Sequence, residues 1–218
     1  MIDFRPRRTL LYLPASNGRA LAKARGLPAD VLILDLEDAV APDAKADARA
    51  AAVAAVAGGF GAREVGIRVN GFGTPWCAAD FAGVARSAAD FVVVPKIGGA
   101  DEAAEAVALA GGKPVLAMVE TPRAVQRVDS IADVAGVAGL VAGFADLQKD
   151  LRARPGPDRT ALLYAASRIV NAARASGVLA FDGVFTSIGD TAGLEREAGQ
   201  ALELGFDGKT CIHPGQLE

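Results

Sequence analysis

Compact runs of valine, isoleucine and leucine alternate with alanine-rich stretches along nearly the whole chain, and this alternation narrows the possible folds more than any other feature. The runs fall at residues 9–13, 31–35, 65–69, 91–95, 114–119, 140–142, 180–184 and 209–212, each bounded by Gly, Pro or acidic residues. Runs that are apolar on both faces are the signature of parallel strands covered by helices. Between them, residues 44–56, 101–110, 161–175 and 193–204 carry apolar side chains at helical spacing. Gly111-Gly112, Gly177 and Gly205 stand where those helices would end in left-handed caps. Hydrophobic residues make up 51% of the chain but aromatics only 6%, so Ala, Val and Leu must build the core.

Eight such strands fit either an open doubly wound sheet or a closed barrel. The open sheet calls for a glycine-rich phosphate turn after its first strand. Here that turn is Pro14-Ala15-Ser16-Asn17-Gly18-Arg19, with a single glycine. Polar residues instead follow the C-terminal ends of many strands: Arg68 and Asn70, Lys96, Glu120, Asp146, Asp182 and His213. A barrel gathers all of these around one mouth, where barrel enzymes keep their chemistry. The expectation is therefore a single TIM-type (β/α)8 barrel over residues 1–218.

Several function classes drop out. The net charge is −3, with Lys and Arg scattered rather than massed, so nucleic acid is not an expected partner. Cys77 and Cys211 lie far apart without metal-type spacing, which argues against a disulfide framework or zinc site and for a reducing cytoplasm. The opening residues Met1-Ile2-Asp3-Phe4-Arg5-Pro6 lack the apolar stretch of a signal peptide, and no apolar run reaches membrane-spanning length. A soluble cytoplasmic protein with no membrane partner is expected.

Three groups at the barrel mouth carry chemistry. After the second strand, Asp35-Leu36-Glu37-Asp38 places three carboxylates within four residues, beside Val31-Leu32-Ile33-Leu34. Carboxylates there are costly unless paired with a cation or metal; a solvated strand end with Asp38 as a helix cap is the plainer alternative. Glu120 and Asp146 end the neighbouring fifth and sixth strands, so a barrel sets them side by side, as an open magnesium site requires. The alternative is a loop start at Glu120 and a helix cap at Asp146. Arg68 and Lys96 end the third and fourth strands. An arginine leaving an apolar strand can hold a substrate carboxylate, stabilise an oxyanion, or pair structurally with Glu37 or Asp38. Arg19 and Lys23, beyond the first strand, either meet phosphates of a long ligand or form a solvated helix face. For the sole histidine, His213, a hydrogen-bonded structural role before Pro214 competes with general-base catalysis. No serine or cysteine has a nucleophile's partner set, and there is no Walker-type loop.

Taken in order, these residues resemble the citrate lyase β-subunit-like family, within the HpcH/HpaI aldolase/citrate lyase superfamily of phosphoenolpyruvate-binding barrels. The resemblance runs from Arg8-Thr9-Leu10-Leu11-Tyr12-Leu13-Pro14-Ala15 to His213-Pro214-Gly215-Gln216. Its most specific part is Val31-Leu32-Ile33-Leu34-Asp35-Leu36-Glu37-Asp38-Ala39-Val40, supported by Arg68-Val69-Asn70, Val94-Pro95-Lys96, Glu120-Thr121-Pro122-Arg123, Phe181-Asp182-Gly183-Val184 and Gly205-Phe206-Asp207-Gly208-Lys209. It implies that Glu120 and Asp146 hold magnesium and that Arg68 faces the substrate. It implies that Glu37 and Asp38 orient Arg68 or metal-bound water, and that Arg19 and Lys23 contact the pantetheine-nucleotide part of a CoA thioester. The implied reaction splits a short 3-hydroxyacyl thioester into an oxo acid and an acyl thioester. Citryl, citramalyl and malyl groups all present a carboxylate beside a hydroxyl, so the acyl group stays open, as does CoA against acyl carrier protein.

Two features depart from that family's pattern. Glu-Ser commonly follows the Pro-Lys pair, whereas Ile97-Gly98-Gly99 follows Lys96 here. Relatives also continue beyond the His-Pro-x-Gln motif into a further helix and a lid bearing a catalytic carboxylate. This sequence stops at Glu218, so a barrel lacking the C-terminal helix and lid is expected, binding its ligands but turning over slowly alone. Such a barrel would expose the outer face of its eighth strand and favour a homo-oligomer, a trimer by resemblance. Two other functions compete: a metal-dependent 2-oxo-acid aldolase, whose histidine base would stand where Asp38 does, and a non-catalytic accessory barrel.

Overall fold

The structure is a computed structural model that describes residues 5–154 and 156–217. Glu218 and residues 1–4 of the opening segment lie outside the described residues. Eight parallel strands close into a barrel in chain order. They are β1 (Thr9–Pro14), β2 (Val31–Asp35), β3 (Glu64–Arg68), β4 (Phe91–Val94), β5 (Val115–Val119), β6 (Val137–Ala142), β7 (Leu179–Asp182) and β8 (Gly208–Cys211), with β8 paired back onto β1. Around them run α1 (Gly18–Ala24), α2 (Lys45–Ala57), α3 (Cys77–Ala85), α4 (Ala100–Leu109), α5 (Pro122–Gln126), α6 (Val128–Ala132), α7 (Phe144–Asp150), α8 (Leu163–Ser176) and α9 (Thr191–Leu204).

The expected barrel is thus the observed one, and most strand ends agree to within about two residues, the usual scatter in element boundaries. The larger difference is β6, which begins at Val137 rather than at 140. Gly139 breaks the apolar pattern there for a packing reason: a Cβ would come within 2.9 Å of Leu116 Cδ2. Strand alternation divides the apolar residues into two clusters. Leu10, Tyr12, Val31, Ile33, Phe91, Val93, Leu116, Met118, Val141 and Phe181 fill the barrel interior. Leu11, Leu13, Leu32, Leu34, Ile67 and their neighbours pack outward under the helices.

The expected bare outer face of β8 is not observed. Its outward side chains, Lys209 and Cys211, are both buried within the chain. Lys209 Nζ bonds Asp182 Oδ2 at 2.7 Å and Glu197 Oε1, on α9, at 2.6 Å. Cys211 Sγ lies against the 3-10 turn Pro214–Gln216, 3.8 Å from the Gln216 carbonyl. The ammonium buried beside two carboxylates anchors α9 over the strand, and Gln216 ties down the turn by donating to Phe185 O at 2.8 Å. Among the described residues, no helix is long and apolar enough to cross a membrane.

Candidate active site

The mouth of the barrel is organised by one ion pair set by strand register. Asp35 and Arg68 are Cα partners across β2 and β3, so both reach the C-terminal rim at the same level. Arg68 Nε and Nη2 each donate to one oxygen of Asp35 at 2.6 Å, a fork-to-fork pair. The same carboxylate accepts the backbone N–H groups of Glu37 at 2.9 Å and Ala39 at 3.0 Å. Burial opposes charge on Asp35, but the guanidinium and the two N–H groups outweigh it and hold its pKa below the usual value. Burial likewise opposes the charge on Arg68, and Asp35 more than offsets it, so its pKa is raised. The Tyr12 ring closes one side of the guanidinium, 4.9 Å from centroid to Cζ. Nη1 donates to two residues of the cavity lining, Asp38 Oδ2 at 3.4 Å and Met118 Sδ at 4.0 Å, and lies 3.0 Å from Glu37 Oε2 without hydrogen-bond alignment.

On the same rim, after β5 and β6, stand the two carboxylates singled out for metal. Glu120 follows β5, and the next strand brings Gly143 alongside it, Gly143 N donating to Val119 O at 3.0 Å. A Cβ on residue 143 would lie 2.3 Å from Glu120 Cβ, so only glycine leaves room for this carboxylate. One step further, Asp146 stands in the first turn of α7 rather than at its cap. Glu120 and Asp146 line one cavity of about 250 Å³ together with Tyr12, Asp35, Asp38, Arg68, Met118 and Thr210. Burial, then the charge of Glu37, push Glu120 up to about 7, and Asp146 acts in the same direction.

The donor set suits a hard divalent ion. Glu120 has lost most of its water, and its hydrogen bond comes from a backbone N–H, that of Lys96 at 2.7 Å. A cation beside it would relieve the cost of its charge. Among the described residues, no three or more His, Cys, Asp or Glu side chains gather into a protein-only cage. Two carboxylates with remaining positions for water and ligand oxygens are the habit of magnesium.

The other expected residues are placed less centrally. Glu37 is buried behind the cavity, its Oε1 3.0 Å from Lys96 Nζ, and burial raises its pKa. Asp38 lines the cavity at its rim, with a side chain 61% exposed. Arg19 and Lys23 are exposed on α1 and do not line the cavity. His213 caps the turn Pro214–Gln216, its Nδ1 accepting Gly215 N at 3.1 Å while Gln216 reaches back to its N–H. The structural role therefore describes this histidine. Lys45 on α2, which the sequence pattern did not mark, donates to the carbonyls of Leu36 and Glu37 at 2.7 Å and fixes the acidic loop. Tyr12 was also unmarked; a tyrosine at an inward position of a strand otherwise lined by leucine was the available signal. Asp35 was visible as part of the acidic run, but not as the clamp on Arg68.

A parallel barrel with an arginine facing an acidic, metal-suited mouth defines a class of barrel enzymes. The chain belongs to the HpcH/HpaI aldolase/citrate lyase family, whose profile matches residues 8–214. It is 42% identical over 214 residues to a (3S)-malyl-CoA thioesterase of Cereibacter sphaeroides (strain KD131), covering 98% of this chain and 75% of that protein. It is 34% identical over 231 residues to the citrate lyase subunit beta of Leuconostoc mesenteroides subsp. cremoris, covering 100% and 76%. Its fold matches CitE of Mycobacterium tuberculosis, solved in complex with magnesium, acetoacetate and coenzyme A, at a TM-score of 0.86. That match is 34% identical and covers 98% of this chain and 79% of the other.

Proposed function

We propose that this chain is a magnesium-dependent enzyme that cleaves the carbon–carbon bond of a short 3-hydroxyacyl-CoA thioester, giving an oxo acid and an acyl thioester. The observation that carries the reading is that Arg68, Glu120 and Asp146 line the same small cavity at the barrel mouth. Magnesium held by Glu120 and Asp146 would supply Lewis-acid polarisation of substrate carboxylate and hydroxyl oxygens. Arg68, gripped by Asp35 through two of its nitrogens, keeps Nη1 for the thioester oxygen that becomes an enolate. Asp38, at the open rim, takes the hydroxyl proton as the carbon–carbon bond breaks; the electron pair passes to the thioester enolate, and the proton returns from Asp38 by way of solvent to the enolate carbon. Glu37 orients Arg68 from behind. A cavity of about 250 Å³ has room for a short acyl group, with the nucleotide portion outside it, where Arg19 and Lys23 face solvent. Relatives and a structural neighbour that act on or bind CoA compounds support CoA as the carrier.

A second reading is hydrolysis of the thioester, favoured by the relatives named (3S)-malyl-CoA thioesterase. Product analysis separates the two. With magnesium and a panel of malyl-, citramalyl- and citryl-CoA, carbon–carbon cleavage releases an oxo acid without free thiol, and hydrolysis releases free CoA without an oxo acid. Release of neither from any substrate would overturn the enzymatic reading. The rest of the proposal is a single-domain, cytoplasmic protein whose two buried cysteines are unpaired. It forms a homo-oligomer, a trimer by family resemblance, in which Leu202 (77% exposed) and Tyr164 (60% exposed) are candidates for burial. A monomeric mass by light scattering at micromolar concentration would contradict that assembly.

A further inference from the structure

Lys96 has a left-handed backbone, φ +56°, shared among described non-glycine residues only with Arg152 and Arg159. A side chain disfavours that conformation, where glycine would adopt it freely. Such an outlier persists only where its surroundings hold it. Here the holding contacts are two carboxylates. The Lys96 N–H donates to Glu120 Oε1 at 2.7 Å, and the ammonium donates to Glu37 Oε1 at 3.0 Å. The torsion about N–Cα sets the direction of the N–H against that of the side chain. A positive φ therefore lets one residue aim at both carboxylates while the chain turns on into Ile97. The side chain is half-exposed and does not line the cavity, so Lys96 is not placed to touch the acyl group.

We infer that Lys96 is a positioning residue that fixes Glu120 through its backbone and Arg68, by way of Glu37, through its ammonium. Glu37 Oε2 lies 3.0 Å from Arg68 Nη1 without a hydrogen bond. With the ammonium gone, Glu37 turns toward Arg68 and draws Nη1 from the cavity. The two halves of the role separate by substitution. Lys96→Gly keeps the N–H and the backbone shape but loses the ammonium; Lys96→Arg keeps a cation; Lys96→Val, being β-branched, resists the left-handed shape and loses the N–H contact as well.

The inference rests on the magnesium-enzyme reading of the site, and the wild-type protein keeps the two apart. Magnesium affinity is measured by calorimetry, kcat and KM on the hydroxyacyl-CoA that the wild type turns over, and the melting temperature on each variant. Lys96→Gly should still melt in one cooperative transition and hold magnesium within about threefold, while kcat falls roughly tenfold at nearly constant KM. Lys96→Arg should restore most of that kcat, and Lys96→Val should weaken magnesium a further tenfold or so. Wild-type kcat in Lys96→Gly, or unchanged magnesium affinity in Lys96→Val, overturns the inference. Should Lys96→Val not fold, the Gly and Arg variants decide it. A wild-type protein that neither binds magnesium nor acts on a thioester sinks the functional reading, and this inference with it.

Discussion

Replacing Asp35 by Asn tests the ion pair on which the site is built. The Asp35 carboxylate accepts four hydrogen bonds: its Oδ1 serves Glu37 N and Arg68 Nε, and its Oδ2 serves Ala39 N and Arg68 Nη2. An asparagine has one acceptor oxygen, so whichever way it is turned its NH2 group faces two donors. Arg68 would also lose its full counter-charge while remaining buried. Removing one partner of a buried pair costs about 3–5 kcal/mol, a large share of a stability of roughly 5–15 kcal/mol. Urea unfolding followed by far-UV circular dichroism should show that loss. Activity should fall by a larger factor than stability implies, because Nη1 would no longer be aimed. A loss below about 1 kcal/mol, the range of an exposed pair, together with retained kcat would refute the argument.

Three other outcomes are expected. Burial raises Glu120 to about 7, so the folded apo protein holds this proton more tightly than the unfolded chain, whose value is 4.5. The associated stability is full below that unfolded value and is lost as pH rises through 7. In EDTA the melting temperature should therefore decline over that window, and Glu120→Gln should flatten the decline; an unchanged slope counts against it. Gly143→Ala should displace Glu120 and weaken magnesium binding by about 10–100-fold with circular dichroism intact, and calorimetry showing wild-type affinity would remove the packing argument. Arg19→Ala with Lys23→Ala should raise KM for the CoA thioester less at high salt than at low; identical KM values would leave both residues as a solvated helix face.

The barrel was legible in the sequence because its strands are buried on both faces and its helices on one, and each kind of burial leaves its own period in the order of residues. The residues of the mouth were legible too, since charges at the ends of apolar runs stand out. Glu120, Asp146 and Arg68 all reach the cavity. The pairing among them was not legible. Strand register makes Asp35 rather than Glu37 or Asp38 the principal partner of Arg68, and register is a relation between segments about thirty residues apart that leaves no local trace. The same holds for Gly143 making room for Glu120, for Lys96 adopting a left-handed backbone between two carboxylates, and for Lys209 anchoring the cover of β8. Periodicity follows from each element's own burial and so can be read along the chain. Contacts between rims follow from how eight elements close on one another, and only the closed barrel decides them.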